Sequence, residues 1–385
     1  MSDTIQKLTI KGFKSIRKLE DFELRALNVL IGANGAGKSN FVGFFRLLRE
    51  LIEQRLQIAL QTTEGGADAC LYMGPKVTPQ FVARLQFGRN GYQFELVPTT
   101  DNRLAFAQEA TLFEGDSGPI RDSLGSGHTE AKLKDLKDEP GTQGATGIPH
   151  YVHKAISSWV AYHFHDTSLS AGVRRQKPIN DNEILRTDAE NLAAFLYRIR
   201  QTKLRSYNQI RDVVRLAAPF FDDFKLRPAP ANPDLIQLEW LQKDSDYPFL
   251  ANQLSDGTLR FICLATALLQ PRRPPTMLFD EPELGLHPYA LTLLGNLFNQ
   301  AAEKTSSQII VSTQSAPLLN EFAPEDVIVV ERHKGESIFK RLDSASLSEW
   351  LGEYTLGELW QKNVLGGRPS AENAPQLVPD GDGHR

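Results

Sequence analysis

Three observations on this 385-residue chain predict an α/β fold with a mixed-sheet lobe beside a helical lobe. The apolar run Leu27-Asn28-Val29-Leu30-Ile31 leads into a glycine-rich stretch. Phe41-Val42-Gly43-Phe44-Phe45-Arg46-Leu47-Leu48 then repeats apolar residues at helical spacing, so strand, turn and helix form one α/β unit. Next, Phe81, Ala83, Leu85 and Phe87 alternate with more polar residues up to a Gly88-Arg89-Asn90-Gly91 turn. Tyr92, Phe94 and Leu96 alternate back, which is an antiparallel hairpin. Two later apolar runs, at 276–279 and 308–311, end in polar residues, as buried strands of an α/β sheet do at a ligand site.

The remaining elements follow from local pattern. Leu8-Thr9-Ile10, Gly12-Phe13-Lys14-Ser15-Ile16 and Phe22-Glu23-Leu24 read as strands ahead of the 27–31 run. A helix is expected from Asn40 towards Ala59, ending before Gly65-Gly66. Residues 116–150 are rich in Gly, Ser, Lys, Asp, Pro and Thr, so an exposed, partly mobile insertion is expected, with one helix over 130–137. His163 and His165 share one strand face beside Asp166. They offer either a metal set or a polar strand end that caps a neighbouring loop. Amphipathic helices are expected over 191–200 and 207–216, and strands over 235–241 and 326–331. Glycine, proline and polar residues from Gly366 onward predict disorder.

The glycine-rich stretch is Gly32-Ala33-Asn34-Gly35-Ala36-Gly37-Lys38-Ser39, with the spacing of a P-loop. Its glycines let the backbone curl round a phosphate with no Cβ in the way. Successive N–H groups and the positive end of the following helix then face the anion. Lys38 reaches the outer phosphates, and the Ser39 hydroxyl ligates Mg²⁺. Asn34, Gly35, Ala36, Gly37 and Asn40 complete the nucleotide cradle. Lys14 and Ser15 either lie beside the nucleotide or form an exposed hairpin edge.

A second half-site stands far along the chain. Leu254-Ser255-Asp256-Gly257-Thr258 precedes a strong helix over 259–269, again a turn suited to an anion. Thr276-Met277-Leu278-Phe279-Asp280-Glu281 ends in two acids. Asp280 is placed to hold the magnesium shell, and Glu281 to orient or deprotonate the attacking water. Gln314 closes the next buried strand.

P-loop, Leu254–Thr258 turn, acid pair and Gln314 strand occur in the order of an ABC-type ATPase, which the chain resembles. Phe13-Lys14-Ser15 and Glu283-Leu284-Gly285-Leu286-His287-Pro288 resemble the SMC/RecF/OLD-like branch. Tyr162-His163-Phe164-His165-Asp166-Thr167, Asn191-Leu192-Ala193-Ala194-Phe195 and Leu356-Gly357-Glu358-Leu359-Trp360 look like a bacterial family of predicted RecF-like AAA ATPases. The resemblance implies a P-loop NTPase of the ABC-ATPase head type that dimerises on ATP. Ser255, Asp256 and Gly257 of one protomer then form the signature that meets the other protomer's nucleotide. Asp280 binds magnesium, Glu281 is the general base, and Gln314 stands where relatives carry a switch histidine. The Q-loop glutamine has no clear place; Gln176 is a candidate. The implied division is 1–115 as an N-terminal ATPase lobe, 116–150 as the insertion, and 151–250 as a helical and strand lobe. Residues 251–345 form the C-terminal ATPase lobe and 346–385 a helical tail ending in disorder.

Composition narrows the setting. Formal net charge is −4, so there is no global basic field, though a closed dimer can gather Arg174, Arg175, Lys177, Arg198, Arg200, Lys203 and Arg205 into a local one. Two distant cysteines fit a reducing compartment. The N-terminal residues lack a signal-peptide core and no run reaches bilayer length, so a cytoplasmic protein with no membrane partner is expected. No sustained heptads occur between residues 100 and 250, against an SMC-type arm. The expected function is an ATP-hydrolysing switch in DNA repair or anti-phage defence. It acts on double-stranded DNA or on a partner effector protein. The alternatives are a nucleotide-gated sensor with little hydrolysis and, further off, a transporter energy subunit.

Overall fold

The computed structural model describes residues 3–116, 118–139, 147–304 and 307–367. The chain enters through β1 (Lys7–Phe13), β2 (Ile16–Glu23) and β3 (Leu27–Ile31). The hairpin region supplies β4 (Phe81–Phe87), β5 (Asn90–Pro98), β6 (Leu104–Gly115) and β7 (Gly118–Gly125). Six of these form an antiparallel sheet in the order β2-β1-β4-β5-β6-β7. β3 leaves it for a second sheet with β8 (Val160–Tyr162), β9 (Thr276–Asp280), β10 (Gln308–Thr313), β11 (Val327–His333) and β12 (Glu336–Arg341). Its order is β12-β11-β3-β10-β9-β8. Neighbours from β11 to β8 run parallel, and β12 returns antiparallel.

The apolar runs of the second sheet follow from its place between two cores. Leu30, Leu278, Ile310, Ile328 and Val330 face the first core, with Phe41, Phe44 and Leu48 of the helix Lys38–Ile52 and the inner face of the antiparallel sheet. Val29, Ile31, Met277, Phe279, Ile309 and Val311 face the second, packed by the helices Leu192–Thr202, Leu204–Ala217, Asp256–Leu269 and Pro288–Lys304. Alternate residues of a strand point to opposite faces, so a strand covered on both sides must be apolar throughout.

Several expectations are corrected in detail. The helix expected towards Ala59 stops at Ile52; Gln54 takes φ +59°, and the separate short helix Leu56–Ala59 follows. Glu130 Oε2 and Oε1 accept the Leu56 and Gln57 N–H groups at 2.9 and 3.0 Å, satisfying the start of that short helix. The expected single strand at 235–241 is split between Asn232–Ile236 and Glu239–Gln242, in two different three-stranded sheets.

Residues 118–139 are not a loose insertion. β7 is a solvated edge strand, which is why its composition is polar. Beyond it, the fully buried Glu109 carboxylate accepts from Tyr92 Oη and His128 Nε2 at 2.7 Å and from the Lys132 and Leu133 N–H groups. That buried acid draws the segment onto the sheet, and the expected helix over 130–137 shrinks to Leu133–Leu136. Residues 140–146 of the expected insertion, and residues 368–385 of the expected disordered tail, lie outside the described residues.

Candidate functional site

The parallel strands β3, β9 and β10 deliver their carboxyl ends side by side, and the predicted site residues stand there. Close packing shapes the loop after β3. A Cβ on Gly32 would lie 2.2 Å from the Val330 carbonyl oxygen of β11. Gly37 has φ +114°, and a Cβ there would lie 2.0 Å from Ser337 Oγ. Only glycine fits either place. At the loop tip, Asn34 and Gly35 are exposed, and a Cβ on Gly35 would meet nothing. No side chain caps the N-terminus of the helix Lys38–Ile52, so its first N–H groups stay available to an anion.

A serine network braces the loop from behind. Ser337 Oγ of β12 donates to the Ala36 carbonyl at 2.5 Å and lies 2.7 Å from Ser15 Oγ. Asn40 Nδ2 donates to Ser15 Oγ at 2.7 Å, and Arg332 Nη1 to the Gly35 carbonyl at 3.0 Å. Asn40 and Ser15 are thus loop braces. Lys14 is turned aside, because its ammonium pairs with Glu64 at 2.5 Å.

Lys38 is 4% exposed, and Nζ donates to the Gly32 and Ala33 carbonyls at 2.7 and 3.1 Å. Burial holds its ammonium below the usual lysine range, while the Glu281, Asp280 and Glu283 carboxylates oppose that shift. The Ser39 side chain is exposed at the helix start. Asp280 accepts from Ser312 Oγ and lies 3.9 Å from the Arg46 guanidinium. Glu281 takes φ +44°, a costly conformation for a non-glycine residue, and its N–H is held by the Ser312 carbonyl at 2.9 Å. Gln314 Nε2 donates to Glu281 Oε1, and the Gln314 N–H to Glu283 Oε1 at 2.7 Å. Sequence spacing brings out Asp280, Glu281 and Gln314. The contributions of Arg46, Ser312 and Glu283 are missed, although Glu283 is visible as the second acid of Asp280-Glu281-Pro282-Glu283.

The structure suits the proposed magnesium and phosphate ligands in kind: an exposed hydroxyl, a carboxylate, a buried ammonium and an uncapped helix start. Among the described residues no cluster of three His, Cys, Asp or Glu could hold a metal. The alternative set His163, His165 and Asp166 is therefore not assembled. β8 ends at Tyr162, so both histidines stand in the loop beyond it, and Asp166 Oδ1 accepts from Ser168 instead. That loop reaches the same sheet edge, where His165 lines a small cleft with Arg260, Asp280 and Glu281. Gln176 is exposed, on the segment after Arg174.

The Leu254–Thr258 turn presents Ser255 and Asp256 to solvent. Ser255 Oγ accepts the Thr258 N–H at 3.1 Å, an N-cap that explains the helix start at Asp256. A Cβ on Gly257 would lie 2.0 Å from the Gly285 carbonyl oxygen, so the turn sits directly against the loop after the acid pair. Two buried arginines hold this arrangement. Arg174 donates from Nε to the Thr167 carbonyl at 2.8 Å, from Nη1 to Ala251, and from Nη2 to Asp256 Oδ1 at 2.7 Å. Arg260 donates to the Phe164 and His165 carbonyls at 2.8 and 3.0 Å and to that of Leu284.

Arg174 is thus a structural tether and does not join a basic groove. Lys177 pairs with Glu190, Arg198 pairs with Glu183, and Arg200 stacks over Tyr207. Arg175, Lys203 and Arg205 are exposed. No helix among the described residues is long and apolar enough to cross a membrane.

Residues 81–320 match the family described as "AAA domain, putative AbiEii toxin, Type IV TA system". That span holds the signature turn, both acids and Gln314, and begins after the P-loop. No curated protein matches the chain. An SMC head crystallised with the C-winged helix domain of ScpA superposes with TM-score 0.57 at 16% identity, over 89% of this chain and 99% of that one. The SMC head domain from Thermotoga maritima aligns at 15% identity over 88% and 99%, with TM-score 0.41. An Smc head with an extended coiled coil, bound to the C-terminal domain of ScpA derived from Pyrococcus furiosus, aligns at 15% identity over 91% and 98%, with TM-score 0.49. The first of these carries the fold likeness. The chain belongs to this AAA-domain family, and its fold is similar to that of an SMC head.

Proposed function

We propose that the protein is an ATP-hydrolysing switch whose two copies close on nucleotide. The observation that carries this reading is the meeting of Lys38, Asp280, Glu281 and Gln314 at the ends of three neighbouring parallel strands, beside an uncapped helix N-terminus. Gly32 to Asn40 cradle the phosphates, and Lys38 neutralises their outer charge. Ser39 and Asp280 hold Mg²⁺, which when bound supplies further charge neutralisation on the phosphate oxygens. Glu281 takes the proton from a water that attacks the γ-phosphorus; the P–O bond to ADP breaks, and phosphate leaves. Gln314, an amide, orients Glu281 and the water but cannot carry charge.

The signature is exposed and therefore available to a second copy. Ser255, Asp256 and Gly257 of one protomer complete the other's site, so binding closes the homodimer and hydrolysis reopens it. The setting is the cytoplasm, and the cycle serves DNA repair or anti-phage defence. The family's toxin–antitoxin description favours the latter. Double-stranded DNA or an effector protein is the output partner.

One observation favours the second reading, a sensor that hydrolyses slowly: Gln314 already occupies one oxygen of Glu281. Phosphate release from ATP separates the two. Turnover that needs Mg²⁺ and is abolished in both Lys38→Ala and Glu281→Gln supports the switch. Tight ATP binding with turnover equal in wild type and Glu281→Gln supports the sensor.

A further inference from the structure

Glu283 has no task in the cycle described above, yet its surroundings are built. Oε1 accepts the Gln314 N–H at 2.7 Å. Oε2 is buried and has no hydrogen-bond partner among the described residues. Burial pushes the carboxyl above the usual carboxylate range. A half-satisfied buried acid is destabilising, so packing alone does not account for it.

Its neighbours indicate the role. The side-chain amide of Gln314 donates to Glu281, and the backbone amide of the same residue donates to Glu283. Gln314 therefore bridges both acids. On the other side of Glu283, the Leu284 carbonyl accepts from Arg260 Nη1, and Gly285 packs on Gly257 of the signature turn. The loop from Glu281 to Leu286 is a strap, fixed at one end to the residue after β10 and at the other to the signature helix.

We infer that Glu283 is a positioning residue: it fixes the Gln314 backbone, so that the Gln314 side chain holds Glu281 in register with the signature turn. The inference rests on the ATPase reading above.

Two readouts on the full chain test it. Hydrogen exchange reports the Gln314 amide directly, and steady-state phosphate release reports catalysis. Glu283→Ala removes the acceptor; Glu283→Gln keeps one, because its amide oxygen accepts the same N–H. In Glu283→Ala, exchange at the peptide spanning Gln314 rises about tenfold or more, and kcat falls about tenfold at unchanged KM for ATP, the loss expected for one hydrogen bond to a charged group. Glu283→Gln stays within about threefold of wild type on both. The kcat losses of Glu283→Ala and Gln314→Ala are non-additive when combined, since both act through one residue. Unchanged exchange at Gln314 in Glu283→Ala, additive losses, or a fall in kcat matched by weaker ATP binding overturns the inference. If the wild-type chain releases no phosphate, the hydrolysis reading fails, while the exchange measurement still decides whether Glu283 holds Gln314.

Discussion

Replacing Arg174 by methionine removes the hub under the signature turn while keeping side-chain volume. The guanidinium is buried, with its side chain 2% exposed. It makes short bonds to the Thr167 and Ala251 carbonyls and two longer ones, at 3.3 Å, to that of Leu254. Its partner Asp256 is 64% exposed, so that ion pair adds little. The two short bonds to a charged donor set a loss of about 3–6 kcal/mol, and relief of the guanidinium's own desolvation brings the net loss to about 3 kcal/mol. Urea unfolding of wild type, Arg174→Met and Arg175→Met measures it, with the exposed Arg175 as the control. The expected outcome is a lower midpoint at unchanged m-value for Arg174→Met alone. A loss below about 1 kcal/mol, no larger than that of Arg175→Met, refutes the tether.

Other consequences are equally open to measurement. Gly257→Ala forces backbone apart between the signature turn and Gly285, because neither contact atom is a flexible side-chain end. Overpacking of this kind costs about 1–3 kcal/mol, so its melting temperature falls; a gain from helix propensity would contradict the contact. Burial pushes the Cys70 and Cys263 thiols up to about 12. Both are therefore protonated at pH 8 and shielded, and native protein resists iodoacetamide until denaturant exposes them; mass spectrometry of the labelled chain reads this. Glu283→Gln removes a carboxyl whose native range is raised, so wild type loses stability relative to the variant as pH climbs above the unfolded value of 4.5. A stability difference that stays flat across that window would mean the carboxyl is not desolvated.

The P-loop, the acid pair and Gln314 are legible in the sequence because each lies at the end of a short, self-contained apolar run. The fold's brace is not. Ser337 meets Ser15 across 322 positions, and no local pattern announces such a pairing. Arg174 and Arg260 read as loop and helix charges, yet both are buried, because main-chain carbonyls from distant loops converge on them. Lys14 sits in a motif that suggests phosphate, and Glu64, far along the chain, claims it. The polar stretch after residue 116 reads as loose because composition reports solvent exposure. An edge strand and a segment drawn to the buried Glu109 carry the same composition as a loop. His165, in the loop after β8, becomes a neighbour of Asp280 through the parallel pairing of β8 with β9.

The central claim is that nucleotide closes two chains around sites each completes for the other. The mass in solution of Glu281→Gln, with and without ATP and Mg²⁺, tests it most directly, with Lys38→Ala and Ser255→Arg prepared on the same background. The account predicts a monomer that becomes a dimer only with ATP and Mg²⁺, and no such shift in either double variant. ATP bound at full occupancy with the mass unchanged would contradict it.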